Sequence, residues 1–332
     1  MLGLKILLLT LAGSSGAMSV SRALHKRYVR ILAYHGVDWL QDPVINWDGL
    51  QVRPRIFRMH LELLASQYVV KPLSDVLRAL VEGEPMGENV VAITFDDGYR
   101  NNLALAAPML KEFGFPATFF VSTGFVDGTV VPWWYELRAA IASTKVDSVE
   151  LPSQEPISLK TTEGRVEAVT AWERFLRLQT AANRNRHLGN LVAACGVRRL
   201  DVAYPLLDRA GIRKLSDMGF EVGPHTVSHI SMSHEDKSLI EREIRASIAA
   251  VTETTGKPVL CYSYPYGSLP RDWDDIQLMM KRSGVQGAVT TMEGMNRAGD
   301  DVFRLRRLNV SGHRREAFAA LLSGLTGMVH KD

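Results

Sequence analysis

The apolar run Val90-Val91-Ala92-Ile93-Thr94-Phe95 ends in two adjacent aspartates, Asp96 and Asp97, followed by Gly98. Far downstream, Gly223-Pro224-His225-Thr226-Val227-Ser228-His229 carries two histidines four positions apart. Together these segments supply carboxylate oxygen and imidazole nitrogen, the donors of a catalytic divalent metal, with a second carboxylate left for proton work. Neighbouring side chains leaving a strand point in different directions, so one aspartate can hold an ion while the other faces water or substrate. Gly98 permits the tight turn that follows. Alone, Asp-Asp-Gly is also a common solvated turn and the histidines could be surface or capping residues, so the two half-sites carry weight only together. If His229 falls in the first turn of a helix, both imidazoles converge and Thr226 or Ser228 can cap that turn. His234 then reads as a helix-start or surface residue. A metal-dependent hydrolase is the expectation; zinc is favoured, with nickel, cobalt, manganese and iron open.

The elements around these residues alternate. Arg30 to Tyr34 reads as a short strand ending at His35-Gly36, Phe57 to Gln67 and Leu73 to Leu80 as helices, and Val90 to Phe95 as a buried strand. Leu103 to Phe113 follows as a helix closed by Gly114, then Ala117 to Ser122 as a strand. After an interruption come the helix Ile212 to Met218 and the strand Phe220 to Gly223 that delivers His225. Ser238 to Thr254 is an amphipathic helix with Ile240, Ile244 and Ile248 spaced by four, followed by strand Cys261 to Tyr264, helix Asp272 to Ser283 and strand Val285 to Val289. The pattern predicts an α/β fold with parallel strands, whose chemistry gathers at strand carboxyl ends.

The interruption, residues 128–201, is expected to be a mainly helical insertion: Val131-Pro132-Trp133-Trp134-Tyr135 opens it, a polar stretch follows, and helical periodicity runs from Val166 to Ala194. Trp133 and Trp134 suit either a sugar-stacking platform or anchors of the insertion to the core.

The chain has 332 residues, enough for one large domain, and with 46% hydrophobic and 23% charged residues it reads as globular. A formal charge of +3, partly due to Lys5, Arg22, Lys26, Arg27 and Arg30, gives no reason to expect a nucleic acid partner. Cys195 and Cys261 lack metal or redox spacing and read as independent apolar fillers. Residues 1–29 form a signal-like or surface segment: Leu4 to Ala12 is apolar with one lysine, while Leu24, Tyr28 and Ile31 could continue an amphipathic surface helix. The imperfect signal layout favours a cytoplasmic location, or peripheral association with the inner membrane, over export.

The motifs are similar to those of the polysaccharide deacetylase family, carbohydrate esterase family 4, also described by its chitooligosaccharide-deacetylase (NodB) homology domain. Thr94-Phe95-Asp96-Asp97-Gly98 matches the first family motif and His225-Thr226-Val227-Ser228-His229 the second, in family order within roughly Arg30 to Val310. The resemblance implies a distorted (β/α) barrel of seven strands over residues 30–327, with Asp96 as base and Asp97, His225 and His229 as metal ligands. Tyr262-Ser263-Tyr264-Pro265-Tyr266-Gly267 resembles the exopolysaccharide-type branch, in which the Tyr266 N–H would help hold the developing oxyanion. That version lacks the arginine that usually partners the base. Phe303-Arg304-Leu305-Arg306-Arg307 resembles a late family segment, and alternation from Phe303 and Leu305 selects Arg307 as the replacement. The family's late leucine–x–histidine acid has no clear counterpart; His313 is displaced from it, and His35, in a Tyr34-His35-Gly36-Val37 segment that also resembles this branch, is the other candidate.

The resemblance implies hydrolytic removal of N-acetyl groups from an amino-sugar oligomer or polymer. An amidase for another N-acylated substrate, or a silent carbohydrate-binding scaffold, are the alternatives; a pure binding surface has no need for a metal set beside a base.

Overall fold

The computed structural model describes residues 16–39, 42–152, 155–197 and 206–325. The signal-like stretch from Leu4 to Ala12 lies outside them. A helix, Ala17–Leu24, comes first, and Ser21 Oγ donates to the Ser323 carbonyl at 2.8 Å. This ties it to the last helix, Arg315–Ser323. The helix ends at Leu24, so Tyr28 and Ile31 do not continue it, and Ile31 belongs to the first strand.

The strands in chain order are β1 (Arg30–Tyr34), β2 (Gly36–Val37), β3 (Gln51–Val52), β4 (Val69–Val70), β5 (Val90–Phe95), β6 (Thr118–Val121), β7 (Ser148–Val149), β8 (Ile157–Ser158), β9 (Glu221–Pro224), β10 (Cys261–Ser263), β11 (Gly287–Glu293) and β12 (Leu305–Asn309). Seven make a parallel path, β10-β11-β12-β1-β5-β6-β9, and β4 lies beside the start of β5. Every residue of β1 and β5 is buried, as expected for strands covered on one face by the barrel interior and on the other by helices. The path is a nearly closed, distorted (β/α) barrel. At its seam Gly223 of β9 meets the chain of β10 so closely that a Cβ there would come within 2.7 Å of the Cys261 carbonyl oxygen.

Helices Pro54–Gln67, Leu73–Glu82, Arg209–Asp217, Lys237–Thr255 and Trp273–Arg282 wrap the barrel. Their buried apolar stripes meet Tyr34, Phe57, Phe95, Phe119 and Tyr262 in one core, each such side chain contributing about 1.5–3 kcal/mol when fully removed from water. The segment expected as one helix from Leu103 to Phe113 opens as a π-helix, Asn102–Ala106, and becomes α-helical only at Ala107–Glu112. Pro108 sits at the changeover, where its missing N–H interrupts the regular ladder.

Between β6 and β9 the insertion folds as helices Trp133–Ser143, Thr162–Arg177 and Ala181–Ala194 with the small antiparallel pair β7–β8. It has its own core, in which Leu137, Ile141, Trp172, Leu176 and Leu188 pack together. Trp133 and Trp134 are buried in that core, edge to face, with ring centroids 5.9 Å apart. They anchor the insertion; neither is an exposed stacking platform. Cys195 and Cys261 are free and buried.

Candidate active site

Asp96 and Asp97 leave the carboxyl end of β5, where the Asp96 N–H still bonds to the Tyr34 carbonyl of β1 at 2.9 Å. Asp97 then turns into left-handed backbone (φ 73°), and Gly98 follows at φ 79°. Asp96 faces Arg307, which is fully buried on β12 with Leu305, whereas Arg304 and Arg306 are exposed. The guanidinium grips Asp96 with both arms, Nη1 to Oδ1 at 2.9 Å and Nη2 to Oδ2 at 2.6 Å. Its Nε donates to the Thr290 carbonyl at 2.7 Å, and Nη1 also reaches Thr94 Oγ1 at 3.0 Å. Ser263 Oγ adds a donor to Asp96 Oδ1 at 3.3 Å. Burial acts to raise the Asp96 pKa, but the charge and hydrogen bonds of Arg307 hold it below the usual carboxylate range. Asp96 is therefore an anion at neutral pH.

Asp97 meets the histidines. Its Oδ1 lies 3.6 Å from His225 Nε2 and 3.3 Å from His229 Nε2. His225 Nδ1 donates to the Ser263 carbonyl at 2.8 Å, which also bridges the barrel seam. His229 Nδ1 lies 2.8 Å from the Tyr266 hydroxyl, which accepts Trp133 Nε1–H at 2.7 Å. With Nδ1 protonated on both rings, both Nε2 lone pairs are left toward Asp97; that tautomer is assigned from the partners. Burial pushes His225 down to about 4 and lowers His229 as well, so both are neutral at pH 7, as metal ligands must be.

The donor set fits a divalent ion. One atom from each of Asp97, His225 and His229 lies within 4.8 Å of the others, all three residues are buried, and Asp97 Oδ1 has no hydrogen-bond partner. Asp97 Oδ1 is thus 3.3 and 3.6 Å from the two imidazole nitrogens, and the whole set spans no more than 4.8 Å. Three protein ligands would leave a fourth position open, as catalytic zinc sites do.

Residues 225–229 do not form a helical turn: Thr226 and His229 have φ 63° and 52°. Thr226 and Ser228 therefore cap nothing. Instead Ser228 Oγ and the Val227 and Ser228 N–H groups donate to the carboxylate of Glu243. Tyr266 is also left-handed (φ 59°), so four of the five described non-glycine residues with positive φ belong to this site. Such strain, about 1–3 kcal/mol each, persists where surrounding contacts over-determine the backbone.

Asp96, Asp97, His225 and His229 line a cavity of about 270 Å³ together with His35, Leu50, Trp133, Trp134, Arg138, Arg177, Tyr266, Thr291 and Asn309. His35, just beyond β1, has a buried Nδ1 without a hydrogen-bond partner. His313 is not among the lining residues: its Nδ1 accepts the Ser311 N–H at 3.1 Å, and its carbonyl accepts from His60 Nε2. His234 bonds to Ser231 and Ser233, beyond the Asp97, His225 and His229 group.

Arg138 and Arg177 were not evident from sequence. Arg138 is buried between Glu173 (2.7 Å) and Asp48 (2.5 Å), and despite burial these carboxylates raise its pKa. Arg177 reaches Glu173 at 3.2 Å and stays half-exposed at the cavity rim. The available signal was Glu173 itself, an acid on the apolar face formed by Ala168, Val169, Trp172 and Leu176.

The polysaccharide deacetylase family model matches residues 83–157 and 175–286. YxkH of Bacillus subtilis, named for the same family, is 32% identical over 92 residues, which cover 27% of this chain and 30% of that protein. The matched stretch thus spans under a third of that relative. Among solved structures, the Streptococcus pyogenes deacetylase PplD, in complex with acetate, superposes with a TM-score of 0.59 at 18% identity, covering 88% of this chain and 96% of that one. IcaB from Ammonifex degensii gives 0.57 at 17% identity, with 90% and 97% covered. At these identities the two structures share the fold.

Proposed function

The chain belongs to the polysaccharide deacetylase family, and from the groups that line its cavity we propose that it hydrolyses N-acetyl groups from amino-sugar residues of an oligo- or polysaccharide. One observation carries the reading: a carboxylate clamped by a buried arginine, Asp96–Arg307, stands beside the convergent set Asp97, His225 and His229. In this proposal Asp97, His225 and His229 hold a divalent metal, zinc by preference for this donor set. The ion, when bound, supplies Lewis acidity toward an amide carbonyl and makes water a better nucleophile at neutral pH.

The chain's own groups do the rest. Arg307 keeps Asp96 ionised and turned toward the cavity, ready to take a proton from the attacking water. Its depressed pKa makes Asp96 a weak base, so the proton is held briefly and released to solvent, and the proton that His35 gives to the leaving amine is regained from solvent, which returns both groups to their starting states. The Tyr266 N–H, set by its left-handed backbone, is assigned to the oxyanion that forms as the carbonyl becomes tetrahedral. When the C–N bond breaks, the leaving amine needs a proton, and His35 is the assigned donor because its unpartnered Nδ1 belongs to a residue lining the cavity. Acetate and a free amine result. The PplD structure contains acetate, the product expected here.

The test is acetate release by zinc-reconstituted protein from a panel of β-linked N-acetylglucosamine oligomers. Asp96→Asn is expected to lower turnover by about 10²–10⁴-fold. No release from metal-loaded wild type on any oligomer would sink the assignment.

A further inference from the structure

The helix Lys237–Thr255 covers the barrel with Ile240, Ile244, Ile248 and Val251, yet its buried face also carries Glu243, only 8% exposed. No lysine or arginine among the described residues pairs with it. Its partners lie in the segment between the two histidines. Glu243 Oε2 accepts the Val227 N–H at 2.8 Å and the Ser228 N–H at 2.9 Å, and Oε1 accepts Ser228 Oγ at 2.6 Å. The preceding amide, Thr226 N–H, donates to the Tyr262 hydroxyl at 3.2 Å. Two successive amides, Val227 and Ser228, thus converge with the Ser228 hydroxyl on one side of the segment, a nest that favours an anion, and Glu243 supplies it from within the chain. The outward carbonyls are fixed too: Thr226 and Val227 accept from Thr123 N–H and Gly124 N–H at 3.1 and 2.9 Å.

This arrangement addresses a difficulty left by the local sequence. Residues 225–229 take neither a helix nor a strand, and both Thr226 and His229 occupy left-handed backbone that side chains disfavour. Without tertiary bonds the segment would relax and His229 Nε2 would leave its position 3.3 Å from Asp97.

We propose that Glu243 is a positioning residue of the metal centre: its carboxylate fills the amide nest between the two histidines and thereby fixes the direction of the His229 ring. The inference rests on the metal-site reading above. Its effect falls on metal affinity, because the ligands must converge before the ion arrives, and less on turnover once the ion is bound.

The experiment uses the full chain and zinc alone, with its Kd measured by chelator competition in wild type, Glu243→Gln, Ser228→Ala and Ile244→Val. Glutamine removes the negative charge from the nest and puts an NH2 where one acceptor oxygen stood, toward either the two N–H groups or Ser228 Oγ, and should weaken zinc binding by about 10–100-fold, the range seen when groups behind metal ligands are lost. Ser228→Ala deletes one of the three bonds to Glu243 and should weaken binding several-fold, a milder change should Glu243→Gln fold poorly. Ile244→Val, beside Glu243 in the core, should lower metal-free thermal stability and leave the zinc Kd within about twofold. At saturating zinc, kcat of Ser228→Ala should return to near the wild-type value. Zinc affinity unchanged in both Glu243→Gln and Ser228→Ala, or lowered as much by Ile244→Val, would overturn the role of Glu243. Absence of zinc binding by wild type would instead remove the metal reading on which it stands.

Discussion

The cavity has two walls of different origin. On the barrel side, Asp96, Asp97 and His225 leave strand ends, with Arg307 buried behind Asp96 on β12, and side chains bond to neighbouring strand backbone: Arg307 to Thr290, His225 to Ser263. On the insertion side, Trp133, Trp134, Arg138 and Arg177 come from helices with a second apolar core. The proposed acid–base and metal groups stand on the first wall, where adjacent parallel strands fix positions to within a hydrogen bond. The second wall reaches that chemistry through bridging side chains, Trp133 to Tyr266 and Trp134 to Tyr99. Rigid strand ends hold reacting groups, while helices on a second core, joined to the barrel side through Val44, Tyr99 and Phe125, can vary the shape of the opening.

If that division is right, damage to the barrel wall should cost both stability and activity. Arg307→Met leaves the buried Asp96 carboxylate unpaired, and a loss of about 3–5 kcal/mol in unfolding free energy is expected in urea titrations. A change under about 1 kcal/mol would mean that the ion pair does not hold the strand ends together.

Acid should separate the regions next. His60, on the barrel helix Pro54–Gln67, is pushed down to about 4 by burial, above all other causes. Its folded pKa lies below its unfolded value near 6.5, so below that pH the unfolded chain binds the extra proton and the fold loses stability until about pH 4. The cost is about 3 kcal/mol. The described part of the insertion buries no histidine. Thermal melts of the chelated protein from pH 7 to pH 4 should show the decline, to which the buried His225 and His229 add, and His60→Gln should make it shallower without abolishing it; an equal slope in the variant would reject His60 as a source.

Insertion changes are expected to be smaller. Trp133→Phe removes the donor to the Tyr266 hydroxyl and keeps most of the packing, so about 1 kcal/mol of stability and a several-fold weaker zinc affinity should follow. A zinc affinity equal to wild type would show that the insertion does not support His229. Arg177→Gln, at the half-exposed rim, should change KM by a few-fold with kcat within about twofold, since it would act on substrate and transition state alike. A kcat loss above about tenfold would move Arg177 into the reacting centre.

Particular residues show what could be read beforehand. β5 was legible to the residue, because a continuous apolar run stopped by Asp-Asp-Gly leaves little choice of end. Arg307 followed from alternation with Leu305 along β12. The helical turn that spacing by four allows at His225–His229 does not form, since that spacing is shared by helices and by loops held from outside, and the holder, Glu243, is 14 residues beyond His229 on another element. Its sign was nonetheless present: an acid inside an apolar stripe, as at Glu173. The helix Arg315–Ser323 is marked in the sequence only by Phe318, Leu321 and Leu322 on its buried face. His313 lies near the carboxyl end of β12 by sequence, but its ring nitrogen bonds to its own loop at Ser311.

By itself, the sequence determined the alternation of buried strands and amphipathic helices, the strand end that carries two aspartates, and the presence of a two-histidine segment, because periodicity and punctuation are local properties of a chain. Tertiary structure alone decided that Arg307 meets Asp96 across 211 positions, that Glu243 fills the nest between the histidines, and that Trp133 reaches His229 through Tyr266. Those contacts depend on which strands become neighbours and how closely the barrel closes, and buried polar groups then have to find their partners among whatever the fold places beside them.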